Sequence, residues 1–251
     1  MSVIYRPKGR ALEYSFLALN HYVGCSHGCD YCYVPSMMAF NKRNFSEPEV
    51  RTDIIGQVRK EAPRYAWTTQ RVLLCFTCDP YQHLDDKEKI TRSVIKILKE
   101  NNIPFQVLTK GGMRAARDFD LYKASDAFAT TLTFMDEERS RITEPNAAAP
   151  ANRMQAIIEA HYAGIETWVS LEPVIDPEDS LALIELTHDY VDHYKIGKLN
   201  HKTTDINWRK FGKEAITLCE KFKKQYYVKN DLAEFLRGIE FTNTDTRIFK
   251  K

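Results

Sequence analysis

Short apolar runs alternate with amphipathic helical stretches from residue 72 onward, and this restricts the possible fold more than any other feature. VLLCFT at 72–77 reads as a buried strand. Between Asp86 and Glu100, Ile90, Val94, Ile97 and Leu98 recur on one helical face. Pro104 opens a second strand, FQVLTK, which Gly111 and Gly112 end, and a helix is predicted over 113–123. FATTLTF at 128–134 is the next strand. A helix from Pro150 to Ala163 follows, with Met154, Ile157, Ile158 and His161 facing inward. ETWVSLEP, a helix over 177–188, VDHYKIG and a helix striped by Trp208, Phe211, Ala215, Cys219 and Phe222 continue the pattern. QYYVKN and a short helix, DLAEFLRG, close it. Such repeated β-α units predict an α/β fold, parallel strands inside and helices outside, either an open doubly wound sheet or a full or partial barrel. In each case the functional site belongs at the carboxyl ends of the strands.

The 251 residues suffice for one or two domains. No stretch approaches the roughly 20 apolar residues of a membrane helix, and MSVIYRPKGRALEY lacks the apolar core of a signal peptide. A cytoplasmic protein is therefore expected. Six cysteines in a chain of this size are too few for a disulfide framework. The net charge of +2 does not argue for nucleic acid. Positions 195–229, however, carry ten Lys/Arg against three acids, which reads as a solvated helix face or a phosphate-contacting surface.

The chemistry concentrates in NHYVGCSHGCDYCY, where Cys25, Cys29 and Cys32 are spaced C-x3-C-x2-C. Thiolates this close in sequence can converge on one soft metal centre. Gly24 and Gly28 let the loop turn around a bulky object. Three ligands for four irons leave one iron open to a substrate or cofactor, by the logic that separates open catalytic sites from closed structural ones. Zinc with His21 or His27 as fourth ligand is the competing reading, although no second pair of ligands is evident.

The triad, with the aromatic Tyr31 just before its last cysteine, resembles the motif of the radical S-adenosylmethionine (SAM) superfamily. CFTCDPYQ (75–82), VLTKGG (107–112), TLTFMDEERSRITEP (131–145) and AGIETWVSLEPVID (163–176) extend the resemblance to the spore photoproduct lyase-like branch over roughly residues 15–200. The resemblance implies a partial (β/α)6 barrel, with 201–251 as a C-terminal helical and strand extension of a single domain. It implies one 4Fe–4S cluster on Cys25, Cys29 and Cys32, with SAM on the unique iron. Reductive cleavage of SAM by a flavodoxin- or ferredoxin-type donor would yield a 5′-deoxyadenosyl radical that takes a hydrogen atom from the substrate.

The same resemblance assigns Lys110 to the SAM carboxylate, and Thr77, Cys78 and Asp79 to the strand end near the SAM amino group. A capping or turn role competes for Asp79. Thr131 and Thr133 are candidates for the ribose, and Glu144 and Arg153 for cofactor or substrate. Ser170 and Glu172 alternate on one strand and share a face, so both are expected in a polar cavity. Lys195 and Lys198 flank the next strand, with Asn200 and His201 just beyond. Cys75 and Cys78 differ by an odd number, so a regular strand sends them to opposite faces. Cys78 is then the cavity thiol and candidate hydrogen-atom donor, with Cys75 packed outward and Cys219 in the core. A nucleic-acid base or lesion is the leading substrate class, ahead of a small molecule or peptide. The alternative function is a non-catalytic iron–sulfur or zinc regulator.

Overall fold

The computed structural model describes residues 2–36 and 44–244. Ten strands occur among them: β1 (Ile4–Tyr5), β2 (Leu17–Leu19), β3 (Tyr22–Val23), β4 (Glu49–Val50), β5 (Val72–Leu74), β6 (Phe105–Thr109), β7 (Ala127–Thr131), β8 (Glu166–Leu171), β9 (His193–Ile196) and β10 (Gln225–Val228). Eight of them form one sheet in the order β1-β2-β5-β6-β7-β8-β9-β10. β1 is antiparallel to β2. Every other neighbour pair is parallel. The helices are α1 (Ile54–Glu61), α2 (His83–Glu88), α3 (Ile90–Glu100), α4 (Glu137–Thr143), α5 (Pro150–Tyr162), α6 (Pro177–Thr187), α7 (Trp208–Lys221) and α8 (Asn230–Ala233).

The sheet carries seven parallel strands rather than six. β10 pairs with β9 in continuous register from Gln225↔His193 to Val228↔Ile196, so QYYVKN belongs to the main sheet and not to an appended extension. Residues 245–251 of the expected extension lie outside the described residues.

The two-residue period of the strands divides the core. Val72 and Leu74, Phe128, Val169 and Leu171 face the helices, where they join Val94, Ile97, Leu98 and Phe211. Leu73, Ala127, Ala129 and Trp168 face the other way and pack with Tyr14 and Ala18. Fully burying a large aliphatic or aromatic side chain contributes about 1.5–3 kcal/mol, so the outer layer dominates stability. The small alanines of β7 keep the concave side open.

Several elements differ in detail from the sequence expectation. The helix expected over 86–100 is two helices, broken at Lys89, which has left-handed φ of 53°. The carboxylate of Asp85 accepts the Thr91 backbone N–H at 2.9 Å, and this cap starts α3 afresh. The helix expected over 113–123 is a 3-10 segment, Gly112–Leu121. On α5 the buried residues are Pro150, Arg153, Ala156, Ile157 and Ala160, whereas Met154, Ile158 and His161 are half-buried. An arginine leads that inner face because it has a buried carboxylate partner.

Candidate active site

Every parallel strand delivers side chains to one cavity of about 780 Å³ at the carboxyl ends of the sheet. Cys25, Cys29 and Cys32 follow β2, Lys110 follows β6, Glu172 follows β8 and Lys229 follows β10. Thr77, Cys78, Asp79, Thr131, Ser170 and Lys198 also line it.

The cysteine loop is clasped at its base and pinned from three sides. β3 pairs antiparallel with β4, bringing the two ends of the loop together. Cys25 N–H donates to the Phe45 carbonyl at 2.8 Å. Gly24 makes this closure possible: its φ is +84°, and a Cβ there would lie 2.7 Å from the Phe45 oxygen. Gln82, from the turn before α2, accepts the Ser26 N–H at 2.9 Å and donates to the Gly24 carbonyl. Asn146 donates to the Ser26 carbonyl, and its N–H to that of His27. Sequence reading missed Gln82 and Asn146, since a single Gln or Asn in a turn carries no motif.

Burial, with the Asp79 charge adding to it, pushes the Cys25 thiol up. Burial also raises Cys29, although Lys110 opposes it. A group that stabilises thiolates would reverse both costs. Lys110 stands over the Tyr31 ring, 5.5 Å from its centre. Burial works against its charge, but Cys29 and Glu144 outweigh it and hold the ammonium above the ordinary lysine value. His27 is almost wholly buried, and burial, opposed by Asp79, lowers it to about 4. Its ring is therefore neutral at pH 7. Its Nδ1 lies 3.5 Å from Asp79, and its Nε2 has no hydrogen-bond partner among the described residues. Three thiols, a lysine ammonium and an orphaned imidazole nitrogen around one cavity fit a thiolate-ligated cluster with an anionic co-ligand.

Asp79 is committed to structure. Its Oδ1 accepts from the Tyr81 N–H at 2.8 Å and Thr109 Oγ1 at 2.6 Å, and its Oδ2 from the Lys110 N–H at 2.7 Å. The carboxylate ties the ends of β5 and β6 together, which is the turn role.

Three expected site residues, Glu144, Arg153 and Thr133, lie outside the cavity wall. Glu144 accepts from Arg153 Nη2 at 2.5 Å, from Thr133, from Ser140 and from the Tyr31 phenol. Arg153 also donates to the carbonyls of Ala148 and Thr131. Thr133 lies beyond the end of β7 and is spent on Glu144. This buried network supports the cysteine loop from behind through Tyr31.

Ser170 and Glu172 do share the cavity face. Tyr14 donates to Glu172 Oε2 at 2.5 Å and lies 3.3 Å from Ser170 Oγ. Asn200 donates to Glu172 Oε1 at 3.0 Å, and Lys229 forms an ion pair with Oε2. Burial and Glu172 push the Tyr14 phenol well above its ordinary value, so it stays protonated. Tyr14 and Lys229 were not singled out from the sequence, because they lie 158 and 57 residues from Glu172. Lys195 is fully buried and donates to the Glu13 carbonyl beneath the rings of Tyr14, Trp168 and Tyr227. Lys195 and Lys229 therefore do not belong to a basic surface.

The expectation for Cys75 and Cys78 is corrected. β5 ends at Leu74, and Cys75 has left-handed φ of 59°. Strand alternation stops there, and both thiols line the cavity.

A parallel α/β sheet whose carboxyl end carries a three-cysteine loop defines a class of cofactor-binding α/β proteins. The chain belongs to the radical SAM superfamily, whose family model matches residues 19–191. An uncharacterized protein of Mycobacterium tuberculosis (strain ATCC 25618 / H37Rv) is 28% identical over 179 residues, 67% of this chain and 52% of that protein. One from Methanocaldococcus jannaschii is 24% identical over 190 residues, 74% of this chain and 71% of that protein. The chain thus spans about half the length of the mycobacterial relatives. Among solved structures, spore photoproduct lyase complexed with dinucleoside spore photoproduct superimposes with TM-score 0.69 at 13% identity, over 91% of this chain and 79% of that one. SuiB of Streptococcus suis bound to S-adenosylmethionine gives TM-score 0.66 at 10% identity, over 90% and 53%. At such identities the likeness is one of fold, and it agrees with the partial-barrel architecture. Among the described residues no helix is long and apolar enough to cross a membrane.

Proposed function

We propose that this chain is a cytoplasmic radical SAM enzyme, in which Cys25, Cys29 and Cys32 hold a 4Fe–4S cluster and SAM occupies the adjoining cavity. The observation that carries this reading is the opening of all three cysteines and Lys110 onto one cavity at the carboxyl ends of the parallel strands. Among the described residues no three His, Cys, Asp or Glu side chains gather tightly enough for a single metal ion. A four-iron cluster makes a different demand, one thiolate per iron around a larger object. His21, the first candidate for a zinc ligand, is engaged by Thr91 and Cys75.

When bound, the cluster supplies the electron, received from a flavodoxin- or ferredoxin-type donor, that cleaves SAM to methionine and a 5′-deoxyadenosyl radical. The protein binds and orients. The Lys110 ammonium pairs with the SAM carboxylate as a point charge. Thr77 and Thr131 offer hydroxyls from neighbouring strand ends. Asp79, Glu144 and Thr133 act through the residues they hold. Ser170 and Glu172 form the polar wall available to SAM or substrate, and Cys78 is a cavity thiol able to return a hydrogen atom to a substrate radical.

A phosphate-bearing substrate, a nucleic-acid base or lesion, suits the charge of the cavity. Arg6, Lys8, Arg10, Lys110, Lys198 and Lys229 line it, against Asp79 and Glu172; Lys229 is paired with Glu172 and Arg10 with Asp231, so the excess is carried by Arg6, Lys8, Lys110 and Lys198. Such an excess attracts phosphates and makes binding salt-dependent. Anaerobic reconstitution tests the whole reading. About four irons per chain are expected, with a reduced-cluster signal that SAM perturbs and formation of 5′-deoxyadenosine. A colourless protein with one zinc and no SAM cleavage overturns it in favour of a non-catalytic metal protein.

A further inference from the structure

Positions 195–229 carry ten Lys/Arg, and the fold sorts them. Lys195 and Lys229 are buried. Lys198 lines the cavity, and Lys202 pairs with Asp30 at 3.4 Å. The remaining six, Arg209, Lys210, Lys213, Lys221, Lys223 and Lys224, lie on α7 and the turn that follows it. Between residues 208 and 225 the acids are Glu214 and Glu220. Outside that stretch the chain carries 30 Lys/Arg and 32 Asp/Glu, so the positive charge of the molecule is concentrated there.

α7 buries Trp208, Phe211, Ala215, Ile216 and Cys219. The helical period sends Arg209, Lys210, Lys213, Thr217 and Lys221 to the opposite, exposed face. Of the two acids, Glu214 lies 3.8 Å from Lys210, and Glu220 accepts from the Tyr226 phenol at 3.0 Å. Lys213, Lys223 and Lys224 have no ion-pair partner among the described residues. Arg209 is anchored by carbonyls instead of a carboxylate, donating to Phe235 at 3.2 Å and to Arg237 at 2.9 Å.

This face is continuous with the cavity. The Lys198 ammonium, at the cavity wall, stands 5.7 Å from the centre of the Trp208 ring and 5.9 Å from that of Phe235. Phe235 is 42% exposed. A path of cations with one open aromatic ring therefore runs from the cavity over the first turn of α7 and along the helix. At 14 residues the helix is about 21 Å long.

We propose that the exposed face of α7, together with Phe235, binds the backbone of a single-stranded nucleic acid whose adjoining nucleotide reaches the cavity. Ammonium groups on successive turns meet phosphates as point charges. The open ring beside Lys198 is a platform for a base, and a basic track with a stacking ring is how single strands are held. Phosphate contacts carry no sequence information, so the face is indifferent to base order. A lipid surface does not suit it, because the apolar face of α7 is already buried in the fold and is not available for insertion. The proposal rests on the nucleic-acid reading of the cavity only for where the strand leads. Binding to α7 itself needs neither cluster nor SAM.

The test is fluorescence anisotropy of a labelled oligothymidylate, single-stranded or paired with oligoadenylate. It is titrated with the full chain before and after anaerobic reconstitution. Wild type should bind the single strand with a log affinity that falls linearly against log salt, by about 0.7 per phosphate contact. K210Q/K213Q/K221Q should lower that slope by about 2, and the affinity at 0.1 M salt by roughly a hundredfold. K60Q/K87Q/K96Q removes the same charge from α1, α2 and α3. It should change the affinity little, since charges beyond about 10 Å are screened at that salt. F235A should weaken the single strand by about tenfold and leave the duplex unchanged. Equal losses in the two triple variants, or wild-type affinity in K210Q/K213Q/K221Q, overturn the proposal. Binding that is lost only in R6Q/K8Q overturns it too, while the cavity reading stands. Tighter binding of the duplex rejects the single strand, and displacement by polyglutamate as readily as by unlabelled oligothymidylate assigns the face to an acidic protein instead.

Discussion

The Tyr31 phenol donates to the Glu144 carboxylate, joining the cysteine loop to a residue 113 positions away at the end of α4. Glu144 and Arg153 are both buried, and they hold each other at 2.5 Å. The residue beside the last cysteine is thus positioned by an ion pair behind the cavity wall. Removing one partner of a buried pair leaves an uncompensated charge, so E144A should cost about 3–5 kcal/mol in denaturant unfolding. Y31F removes one hydrogen bond to a charged group and should cost about 1.5–3 kcal/mol.

The same pair predicts a pH dependence. Burial resists ionisation of Glu144, but Arg153 and Lys110 outweigh it and hold the carboxyl below its ordinary value of 4.5. A depressed folded pKa means that this stability is fully present above about 4.5 and is lost as pH falls through the folded value. Acid unfolding of E144Q should therefore lack this increment, and its stability should change less than that of the wild type below pH about 4.5. Parallel acid titrations followed by circular dichroism provide the check, and identical slopes would rule the effect out.

Alanine at Cys25, Cys29 or Cys32 should abolish iron loading and SAM cleavage, because each thiolate serves a different iron. The fold should survive, since the sheet and its outer apolar layer are built without the loop. Iron analysis beside circular dichroism separates the two effects. Wild-type iron in any single variant contradicts the ligand assignment.

Lys110 follows β6 with its backbone N–H fixed by Asp79 and its side chain over Tyr31. K110A should keep its iron and lose affinity for SAM. A lost charged hydrogen bond of about 1.5–3 kcal/mol corresponds to roughly ten- to a hundred-fold. Titration of SAM into the reconstituted variant measures the change, and unchanged affinity removes Lys110 from the SAM site.

Gly197 lies against Glu172, where an added Cβ would fall 2.8 Å from the carboxylate carbon. Glu172 has little room to yield, being held by Tyr14, Asn200 and Lys229. G197A should destabilise the chain by about 1–3 kcal/mol through overpacking. K229M should cost about 1.5–3 kcal/mol through the lost charged contact. Because both act on one carboxylate, the double variant should cost less than the sum of the two. Strict additivity in denaturant unfolding would separate the residues.

Sequence alone determined the parallel α/β class and the cysteine triad, because both are local. Strand and helix periods repeat within a few residues, and three thiols within eight positions need only one local loop to converge. The position of Ser170 and Glu172 on one face was legible for the same reason. Tertiary structure decided where strands stop and which polar groups are already spent. Nothing local to VLLCFTC announces that the backbone turns left-handed at Cys75, and that one dihedral brings both thiols to the cavity. Sequence alone offers Glu144 as a site carboxylate and Asp79 as either a site or a turn carboxylate, because their partners Arg153 and Thr109 lie on other elements. Tyr14 and Lys229 reach Glu172 only because the amino-terminal turn and the seventh parallel strand converge on the end of β8. A buried charge takes its partner from whatever the fold brings near, and sequence distance carries no record of that choice.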